Sequence, residues 1–378
     1  MSHVLFAGGG TGGHLYPALA LAAALQQERP DVEVHFVGAK RGVESQVLPA
    51  ENQPHTLLPF EPLRRSKVWQ NWRLFPSMWA SMRGLRTLFD EFKPVLVVGT
   101  GGYASAPACL FALTRRVPVA VQEQNSHPGL TTRTLGRWAR QVHLGFPEAG
   151  AKINAGNHTQ VTALGNPIRK PDPTLDRAEC RNRFGLRSDS RVVLVVGGSQ
   201  GSRAINEALL GAIARSHAPT LPRSIEILWA TGPNHIENIS GRLSAEAKQW
   251  VHAFGYIHNM SEALASADVA ISRAGAMGTA ELLAWGIPMI LIPLPTAAAD
   301  HQTHNARALA NASAALMLDE RKLTPDSLWQ SLMTLVGDES TLTQMKRAAL
   351  ARAQPNAAQE IARRLAELLP RTDLPAAG

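Results

Sequence analysis

DVAISRAGAMGTAELLAWGIPMILIPLPTAAADHQTHN, residues 268–305, contains two short apolar runs separated by a glycine-containing turn and a helical segment. The runs 268–272 and 289–292 have the length and composition of buried strands. Gly286 and Pro288 end the helical segment between them. This order predicts a βαβ unit with two parallel strands.

The turn at 273–278 is built mostly from small residues. Small side chains leave the N–H groups at a helix N-terminus accessible, so this turn is suited to binding phosphate. Glu281 is expected near the first turn of the helix, where it would either pair with the helix dipole or accept ribose hydroxyls. The polar run 301–305 is suited to sugar hydroxyls. A phosphate, a ribose and a sugar are therefore expected at the carboxyl ends of these strands.

The composition limits the class of protein. A length of 378 residues favours two domains, since single cores seldom exceed about 250–300 residues. The two cysteines, Cys109 and Cys180, are far apart, which favours a reducing cytoplasm over a disulfide framework. No signal peptide and no bilayer-spanning run are expected. The formal charge of +8 favours an anionic membrane surface or a phosphorylated substrate, and no nucleic-acid-binding signature is present.

Two further segments repeat the order of strand, glycine loop and helix. Residues 4–7 precede GGGTGGH at 8–14, and residues 191–196 precede GGSQGSR at 197–203. Strands alternating with helices predict the α/β class with doubly wound parallel sheets. The two similar beginnings predict two similar domains, joined near residues 164–169. The first helix is expected to begin at Tyr16.

The first glycine loop matches G-x-G-x-x-G at Gly8, Gly10 and Gly13. A dinucleotide-binding loop also needs an acidic residue at the end of the second strand, which here ends in Lys40, so hydride transfer is the minor interpretation. The loop still offers amides to a pyrophosphate. His14 is either structural or, beside such a site, a general base.

The remaining candidates are polar residues close to these loops. Ser199 is expected to contact a phosphate, to cap the following helix, or both. Asn125 and Arg169 would flank the cleft between the two domains. No Asp-x-Asp motif or paired His/carboxylate spacing occurs, so no metal is expected. Amides, helix dipoles and arginine would then meet the charge of a diphosphate.

Residues 63–79 combine three of the eight tryptophans with four basic residues. Such a surface is typical of an interfacial anchor on an anionic bilayer, and we favour that interpretation for residues 64–75. For the helix that begins near Pro76 we favour packing of its apolar face on the sheet.

Taken together, these motifs resemble the MurG enzymes of glycosyltransferase family 28. The resemblance is carried by GGGTGGH at 8, GTGGY at 99, EQN at 123, GNPIR at 165, GGSQGSR at 197, SRAGAMGTAEL at 272 and DHQTHNA at 300. It implies the GT-B fold, two Rossmann-like domains facing across a cleft. It also implies a cofactor-free, metal-independent, inverting transfer of GlcNAc from UDP-GlcNAc to the muramyl 4-hydroxyl of undecaprenyl-linked lipid I, giving lipid II for peptidoglycan.

The resemblance also implies a division of labour. Residues 1–166 would bind the acceptor and the membrane, with a C-terminal helix at about 354–370 packing back onto them, and residues 167–353 would bind UDP-GlcNAc. The enzyme would be peripheral, on the cytoplasmic face of the bacterial inner membrane. Its partners would include the anionic membrane surface and other wall-synthesis and division proteins.

Residue by residue, the resemblance assigns four groups. His14 is the proposed base. The UDP-GlcNAc contacts would be Thr11, Gly12, Gly13, Asn125, Arg169, Ser199, Ile257, Ala276, Met277, Gly278, Thr279, Ala280, Glu281 and Gln302. The acceptor pyrophosphate would be met by Gly10, Gly101, Gly102 and Tyr103. The membrane would be met by Arg64, Arg65, Lys67, Trp69, Trp72, Phe75 and Trp79.

Three alternatives remain open at this point. A UDP-GlcNAc 2-epimerase of the same architecture acts on a soluble sugar and has no need of Trp69, Trp72 and Trp79. A glycolipid synthase of this fold differs in using a diacylglycerol acceptor. A non-catalytic scaffold of the wall-synthesis complex would tolerate loss of His14 and Glu281, and both are present.

Overall fold

The computed structural model describes residues 1–62, 68–215 and 224–370. The chain divides into two units. The first unit comprises Met1–Arg169 and the segment that begins at Gln354, and the second comprises Lys170–Ala353. Each unit contains one sheet in which every strand pair is parallel, which confirms the predicted α/β class.

The elements follow each other in an alternating order. The first unit has β1 Ser2–Gly8, α1 Gly12–Glu28, β2 Val32–Ala39, α2 Glu44–Ala50, β3 His55–Leu58, a 3-10 helix Val68–Leu74, α3 Phe75–Phe92, β4 Leu96–Gly101, α4 Ser105–Thr114, β5 Val119–Glu123, α5 Leu130–Leu135, β6 Gln141–Leu144, a 3-10 helix Pro147–Lys152 and β7 Gln160–Thr162. The second unit has α6 Arg177–Arg183, β8 Arg191–Val196, α7 Arg203–Arg215, β9 Ile225–Ala230, α8 Ile236–Arg242, a 3-10 helix Ala247–Gln249, β10 Val251–Phe254, α9 Met260–Ser266, β11 Val269–Ser272, α10 Ala276–Ala284, β12 Met289–Leu291, a 3-10 helix Ala298–Asp300, α11 His301–Asn311, β13 Ala315–Met317, a 3-10 helix Glu320–Lys322, α12 Pro325–Gly337 and α13 Glu339–Arg352. The chain then returns to the first unit with α14 Ala357–Ala366.

The strand orders place each glycine loop at a switch point. The first sheet runs β3-β2-β1-β4-β5-β6-β7 and the second runs β10-β9-β8-β11-β12-β13. The order reverses between β1 and β4 and between β8 and β11, and open α/β sheets bind their ligands at such positions. In register, Ala7 lies beside Gly99 and Val196 beside Ser272. The loops that follow these strands are therefore neighbours within each unit.

Both faces of each sheet are covered by helices. In the first unit, α3, α4 and α5 contribute to the core on one face, and α1 and α14 contribute to the core on the other. The helix α14 buries Ile361 and Leu365 against α1, which ties the end of the chain to the first unit. In the second unit, Val193 and Val195 of β8 and Trp229 of β9 are fully buried in one core cluster. Apolar strands covered on both faces are typical of parallel sheets.

Two expectations about helix starts were wrong. The helix α1 begins at Gly12 and not at Tyr16. The entropic cost of glycine applies mainly to the interior of a helix, and Gly12 and Gly13 lie in the first turn, directly after the N-cap Thr11. Glu281 is the sixth residue of α10, and that helix has no acidic residue in its first turn. Pairing of Glu281 with the dipole at the helix start is therefore excluded by its position.

Several short strands were not predicted from the sequence. The strands β3, β6, β7 and β13 have only three or four residues each. Unlike the equally short β11 and β12, three of these four strands begin with a polar residue, so no continuous apolar run marks them. None of the described helices combines the length and the apolar character needed to span a membrane.

Candidate functional site

The loop after β1 is held from behind by a buried carboxylate. Gly10 has a φ of 86°, a conformation that favours glycine, and its N–H donates to Glu44 Oε2 at 2.8 Å. Glu44 Oε1 accepts the N–H of Ala39 at 2.8 Å, and the residue is fully buried. A phosphate at this loop would therefore have to use amides other than that of Gly10. Sequence reasoning missed Glu44, although the flanking Gly38 and Gly42 are a possible signal.

His14 lies in the first turn of α1, beside the loop that follows β4. Its Nδ1 is 3.1 Å from Thr11 Oγ1, and its carbonyl oxygen accepts the Thr100 hydroxyl at 2.8 Å. A Cβ added to Gly101 would lie 2.8 Å from the His14 ring, so glycine is needed for this close approach. Gly101 and Gly102 have φ values of 97° and 81°. The structure thus brings His14 together with the predicted GTGGY motif.

Tyr103 packs over the first glycine loop. A Cβ on Gly10 would lie 2.7 Å from the Tyr103 ring. Burial, and after it the charge of Glu44, raise the pKa of the Tyr103 phenol. Tyr103 is therefore neutral at physiological pH and can act as a hydrogen-bond donor.

The loop after β5 is organised by Glu123. This buried carboxylate accepts the backbone N–H of Asn125 at 3.1 Å, its side-chain amide at 3.3 Å and the Gly129 N–H at 2.9 Å. It also accepts the hydroxyl of Thr132 at 2.6 Å. Asn125 is therefore held in one orientation at the carboxyl end of the sheet. Arg169 is an exposed residue at the end of the first unit.

The loop after β8 leaves Ser199 exposed. Gly198 and Gly201 have φ values of 94° and 76°, which glycine tolerates. The hydroxyl of Ser202, directly before α7, accepts the N–H of Ile205 at 3.3 Å. The capping role considered for Ser199 thus belongs to Ser202, which leaves the Ser199 side chain exposed at the surface of the loop.

Arg273 connects three segments of the second unit. Its guanidinium donates to Ser202 Oγ at 2.6 Å and to the carbonyl of Ile292 at 3.1 Å, and it forms an ion pair with Glu320. The Arg273 side chain is 11% exposed. It places a positive charge behind the second glycine loop and the turn before α10. Sequence reasoning also missed this residue.

The turn before α10 exposes backbone at a helix N-terminus. Gly275 is the N-cap, in an extended conformation, and no side chain caps the helix there. Ala276 and Thr279 are buried, so their contacts with a ligand would come from the backbone. Asn305 donates from its side chain to the carbonyl of Ala274 at 3.1 Å, which fixes the turn to α11.

Gln302 and Ile257 are each constrained by their surroundings. The Leu294 N–H donates to Gln302 Oε1 at 3.0 Å, so Gln302 could contact a ligand through its NH2 group, as a hydrogen-bond donor. Ile257 is 4% exposed, so any contact with a base would come from its backbone. Before Gln302, both Ala299 and Asp300 have a φ of 53°, which is strained for residues with a Cβ.

Exposed aromatic side chains mark the segment before and at the start of α3. Trp69, Trp72, Phe75 and Trp79 are between 61% and 71% exposed. The Arg83 guanidinium lies 3.9 Å from the centroid of the Trp79 ring. Further along α3, Leu85, Leu88 and Phe89 are buried on the sheet. The predicted contacts Arg64, Arg65 and Lys67 lie outside the described residues.

Acidic, cysteine and histidine side chains form no group of three or more suited to a metal ion within residues 1–62, 68–215 and 224–370. The positive groups near the second glycine loop are instead Arg273 and the N-termini of α7 and α10. Helix N-termini attract phosphate groups. This arrangement is suited to a diphosphate.

Both halves of the chain match domain models of one protein family. Residues 4–144 match the glycosyltransferase family 28 N-terminal domain, and residues 192–365 match the glycosyltransferase family 28 C-terminal domain. A Chlorobaculum parvum protein named UDP-N-acetylglucosamine--N-acetylmuramyl-(pentapeptide) pyrophosphoryl-undecaprenol N-acetylglucosamine transferase is 40% identical over 369 residues, 97% of this chain and 99% of its own. A protein of the same name from Moorella thermoacetica is 38% identical over 367 residues, 95% of this chain and 96% of its own.

A solved structure agrees with these sequence matches. The crystal structure of Acinetobacter baumannii MurG is similar to this chain with a TM-score of 0.74 and 29% identity, covering 97% of this chain and 100% of that one. This similarity confirms the predicted GT-B fold class.

Proposed function

The chain belongs to glycosyltransferase family 28, and we propose that it transfers GlcNAc from UDP-GlcNAc to the 4-hydroxyl of the muramyl unit of lipid I. The product is lipid II, the precursor of peptidoglycan. The observation that carries this proposal is the 40% identity to a transferase of that printed name over 97% of the chain. The motifs that resemble the family are distributed along both matched domains, so the relationship does not depend on one segment.

In this proposal the second unit binds the donor. The N-terminus of α10 and the exposed Ser199 meet the diphosphate, Glu281 accepts the ribose hydroxyls, and the Gln302 amide donates to the sugar. Glu281 is half-buried in the second turn of α10, and a carboxylate is an acceptor for hydroxyl donors. Arg273 supplies positive charge behind the site. From the first unit, Thr11, Gly12, Gly13, Asn125 and Arg169 complete the contacts.

The first unit binds the acceptor and supplies the base. The muramyl 4-hydroxyl oxygen attacks the anomeric carbon of GlcNAc from the face opposite to UDP, so the C–O bond to UDP breaks as the new β1→4 bond forms. His14 takes the hydroxyl proton, and the electron pair of the broken bond leaves on UDP. An imidazole has an ordinary pKa near neutrality, which suits removal of this proton.

The leaving diphosphate is stabilised without a metal ion. Negative charge develops on the UDP oxygen as the bond breaks, and preorganised positive groups aimed at such charge lower the barrier. We assign this role to the N-terminal amides of α10, with the guanidinium of Arg273, itself paired with Glu320, behind the second glycine loop. Neither a metal nor an organic cofactor takes part in the proposed reaction.

Access to the acceptor requires contact with a membrane. The lipid tail keeps the muramyl unit at the bilayer surface, so we propose that the exposed Trp69, Trp72, Phe75 and Trp79 insert at the headgroup level on the cytoplasmic face of the inner membrane. The basic residues Arg64, Arg65 and Lys67 would add electrostatic attraction to anionic lipids. Binding to other wall-synthesis and division proteins would place the enzyme where lipid II is used.

The function is tested by incubating the protein with labelled UDP-GlcNAc and a short-chain lipid I analogue in excess EDTA. We expect labelled lipid II and free UDP in equal amounts. Complete loss of activity in EDTA that magnesium or manganese restores would contradict the metal-free site. Formation of UDP-ManNAc without acceptor would identify an epimerase, and transfer only to diacylglycerol would identify a glycolipid synthase.

Membrane binding is tested with vesicles of phosphatidylglycerol or cardiolipin. Replacing Trp69, Trp72 and Phe75 with Ser should abolish sedimentation with these vesicles while leaving UDP affinity unchanged. Turnover should persist on a water-soluble acceptor and fall on a vesicle-embedded one. Leu350→Ser, at an exposed apolar residue of the second unit, is the matched control. Equal binding by the variant and the parent at low salt would show that the contact lies elsewhere.

A further inference from the structure

Glu44 is a fully buried carboxylate to which the proposed reaction gives no role. It is the first residue of α2, behind the loop that joins β1 to α1. Burying a carboxylate is costly unless hydrogen bonds replace its hydration. Here Oε1 accepts the N–H of Ala39 and Oε2 accepts the N–H of Gly10, each at 2.8 Å. One side chain thereby joins the end of β2 to the middle of the first glycine loop.

The surrounding backbone is shaped around this carboxylate. A Cβ added to Gly9, Gly38 or Gly42 would overlap the Glu44 side chain in each case. These three glycines come from the loop, from β2 and from the turn before α2. The carboxylate therefore fills a fitted space that admits no additional methyl group. Such a fit fixes the position of Gly10 as well as its hydrogen bond.

The loop that Glu44 holds leads directly to the proposed base. Thr11 follows Gly10, is the N-cap of α1, and has its hydroxyl oxygen 3.1 Å from His14 Nδ1. The Tyr103 ring rests on Gly10, and a Cβ on Gly102 would overlap the carbonyl of Gly9. A shift of the loop would therefore move Thr11 and disturb the packing around His14.

We propose that Glu44 is a positioning residue for the transfer reaction. Its two hydrogen bonds set the loop so that Thr11 and His14 face the acceptor hydroxyl in a productive geometry. The inference rests on the proposed function, since it assigns Glu44 a role in that reaction. Glutamine would fill the same space but could accept only one of the two N–H groups, because its NH2 group would face the other. Aspartate is one methylene shorter and would not reach both.

The test compares Glu44→Gln with Glu51→Gln. Glu51 follows α2 and is exposed, so it is a matched change on the same segment. With a water-soluble lipid I analogue, we expect kcat of Glu44→Gln to fall about ten- to hundred-fold, since a misplacement of about 1 Å can cost about a hundred-fold. The affinity for UDP should stay within about two-fold of the parent, because Glu281 and the N-terminus of α10, the main contacts proposed for UDP, belong to the second unit. The KM for UDP-GlcNAc is measured alongside, since Thr11 is one of the proposed donor contacts. Glu51→Gln should behave as the parent.

Hydrogen–deuterium exchange gives a readout that does not depend on turnover. In Glu44→Gln the amides of Gly10 and Ala39 should exchange faster, while peptides from the second unit should be unchanged. Gly42→Ala disturbs the same carboxylate from outside the loop, because its Cβ would overlap the Glu44 carboxyl group. It should reproduce the loss of kcat. If Glu44→Gln does not fold, Gly42→Ala tests the positioning role of Glu44 by itself.

The outcomes separate this inference from the proposed function. An inactive parent protein would overturn the proposed function. An active parent with unchanged kcat in both Glu44→Gln and Gly42→Ala would overturn only the role of Glu44. A parallel loss of kcat, UDP affinity and protection from exchange in both units would show a structural residue, and this too would overturn the positioning role.

Discussion

The glycine loops after β1 and β8 occupy the same place in their sheets, yet opposite charges lie behind them. Behind the first loop is the carboxylate of Glu44, which accepts the N–H of Gly10. Behind the second loop is the guanidinium of Arg273, which donates to Ser202. A buried charge acts strongly on its surroundings because the local dielectric constant is low. Glu320 partly offsets the charge of Arg273, so the N-termini of α7 and α10 are the main groups that favour a diphosphate at the second loop. At the first loop the amide of Gly10 is already bound to Glu44.

The two glycine loops have similar sequences, but different side chains hold their backbones in place. Both contain several glycines after an apolar strand, and both precede a helix. The side chains that differ, Glu44 and Arg273, come from other segments of the chain. We therefore expect substitutions around the first loop to lower mainly kcat, and substitutions behind the second loop to lower mainly the affinity for the donor.

The largest effect should follow from His14→Ala. Removing a general base typically costs about 10²–10⁴-fold, so kcat should fall by that order while UDP affinity is retained. Steady-state kinetics with a water-soluble acceptor and calorimetric titration with UDP measure the two quantities. His158→Ala, at an exposed histidine of the same unit, is the control. If kcat survived in His14→Ala, the proton acceptor would have to be a different group.

Arg273→Ala should give the opposite pattern. The substitution leaves the partly buried Glu320 without its ion-pair partner, which should lower the folding stability by about 1–3 kcal/mol. It also removes positive charge behind the diphosphate, so UDP affinity should fall at least about ten-fold while uridine affinity changes little. Arg321→Ala, at an exposed neighbour of Glu320, controls for loss of charge at the surface.

Arg273→Lys separates the effect of the charge at residue 273 from the effect of the arginine's hydrogen-bonding geometry. Arg273→Lys keeps the charge but not the planar fork that reaches Ser202 and the Ile292 carbonyl together. If charge alone attracts the diphosphate, UDP affinity should largely return. An equal loss of UDP and uridine affinity in both variants would show that Arg273 only maintains the structure of the pocket.

Acid should weaken the first unit. Burial, and after it the charge of Arg364, lower the pKa of His143 to about 4. The ordinary value of 6.5 applies in the unfolded chain, which therefore takes up the proton first as the pH falls. The stability contributed by neutral His143 is present above pH 6.5 and is lost between pH 6.5 and 4. The lowering of the pKa corresponds to about 3 kcal/mol.

His143→Gln should reduce this loss. His143 Nδ1 lies 2.9 Å from Thr162 Oγ1 and Nε2 lies 3.1 Å from Gln141 Oε1, and a glutamine amide does not titrate. Denaturant unfolding at pH 7 and pH 4.5, with exchange of first-unit peptides as the local probe, gives the comparison. The exposed His158→Gln is the control. The same dependence on pH in all three proteins would show that other groups cause the acid sensitivity.

Glu281→Ala tests the ribose contact and complements the change at Arg273. A hydrogen bond to a charged group contributes about 1.5–3 kcal/mol, which corresponds to roughly ten- to hundred-fold in affinity. Because ribose is common to UDP-GlcNAc, UDP and uridine, all three should weaken alike. Titration of the three ligands distinguishes this from the loss at Arg273, which should spare uridine. Unchanged uridine affinity would exclude the ribose contact.

The sequence predicted the fold class and the glycine loops because these depend on local patterns. Apolar runs, glycine turns and helical segments repeat in the order that parallel sheets require. The groups behind the loops depend on tertiary contacts. Glu44 is 34 residues from Gly10, and Arg273 is 71 residues from Ser202. No local spacing relates such pairs, so a single sequence could not identify them.

The smallest effect on stability should follow from Ala299→Gly, at a strained residue in the segment directly before Gln302. Its φ of 53° costs a residue with a Cβ about 1–2 kcal/mol relative to glycine. Glycine loses more conformational entropy on folding, which offsets part of the gain. Ala299→Gly should therefore stabilise the second unit by about 0.5–1 kcal/mol, a rise in Tm of about 1–4 °C for a unit of this size.

The matched control is Ala297→Gly, at a residue with a φ of −61°. No strain is relieved there, so the same substitution should lower the stability by about 0.5–1 kcal/mol. If the strain at Ala299 also holds Gln302 in position, Ala299→Gly should weaken UDP-GlcNAc binding slightly and leave UDP binding unchanged, because only the sugar contacts Gln302. Equal losses of Tm in the two glycine variants would show that residue 299 is not left-handed in solution.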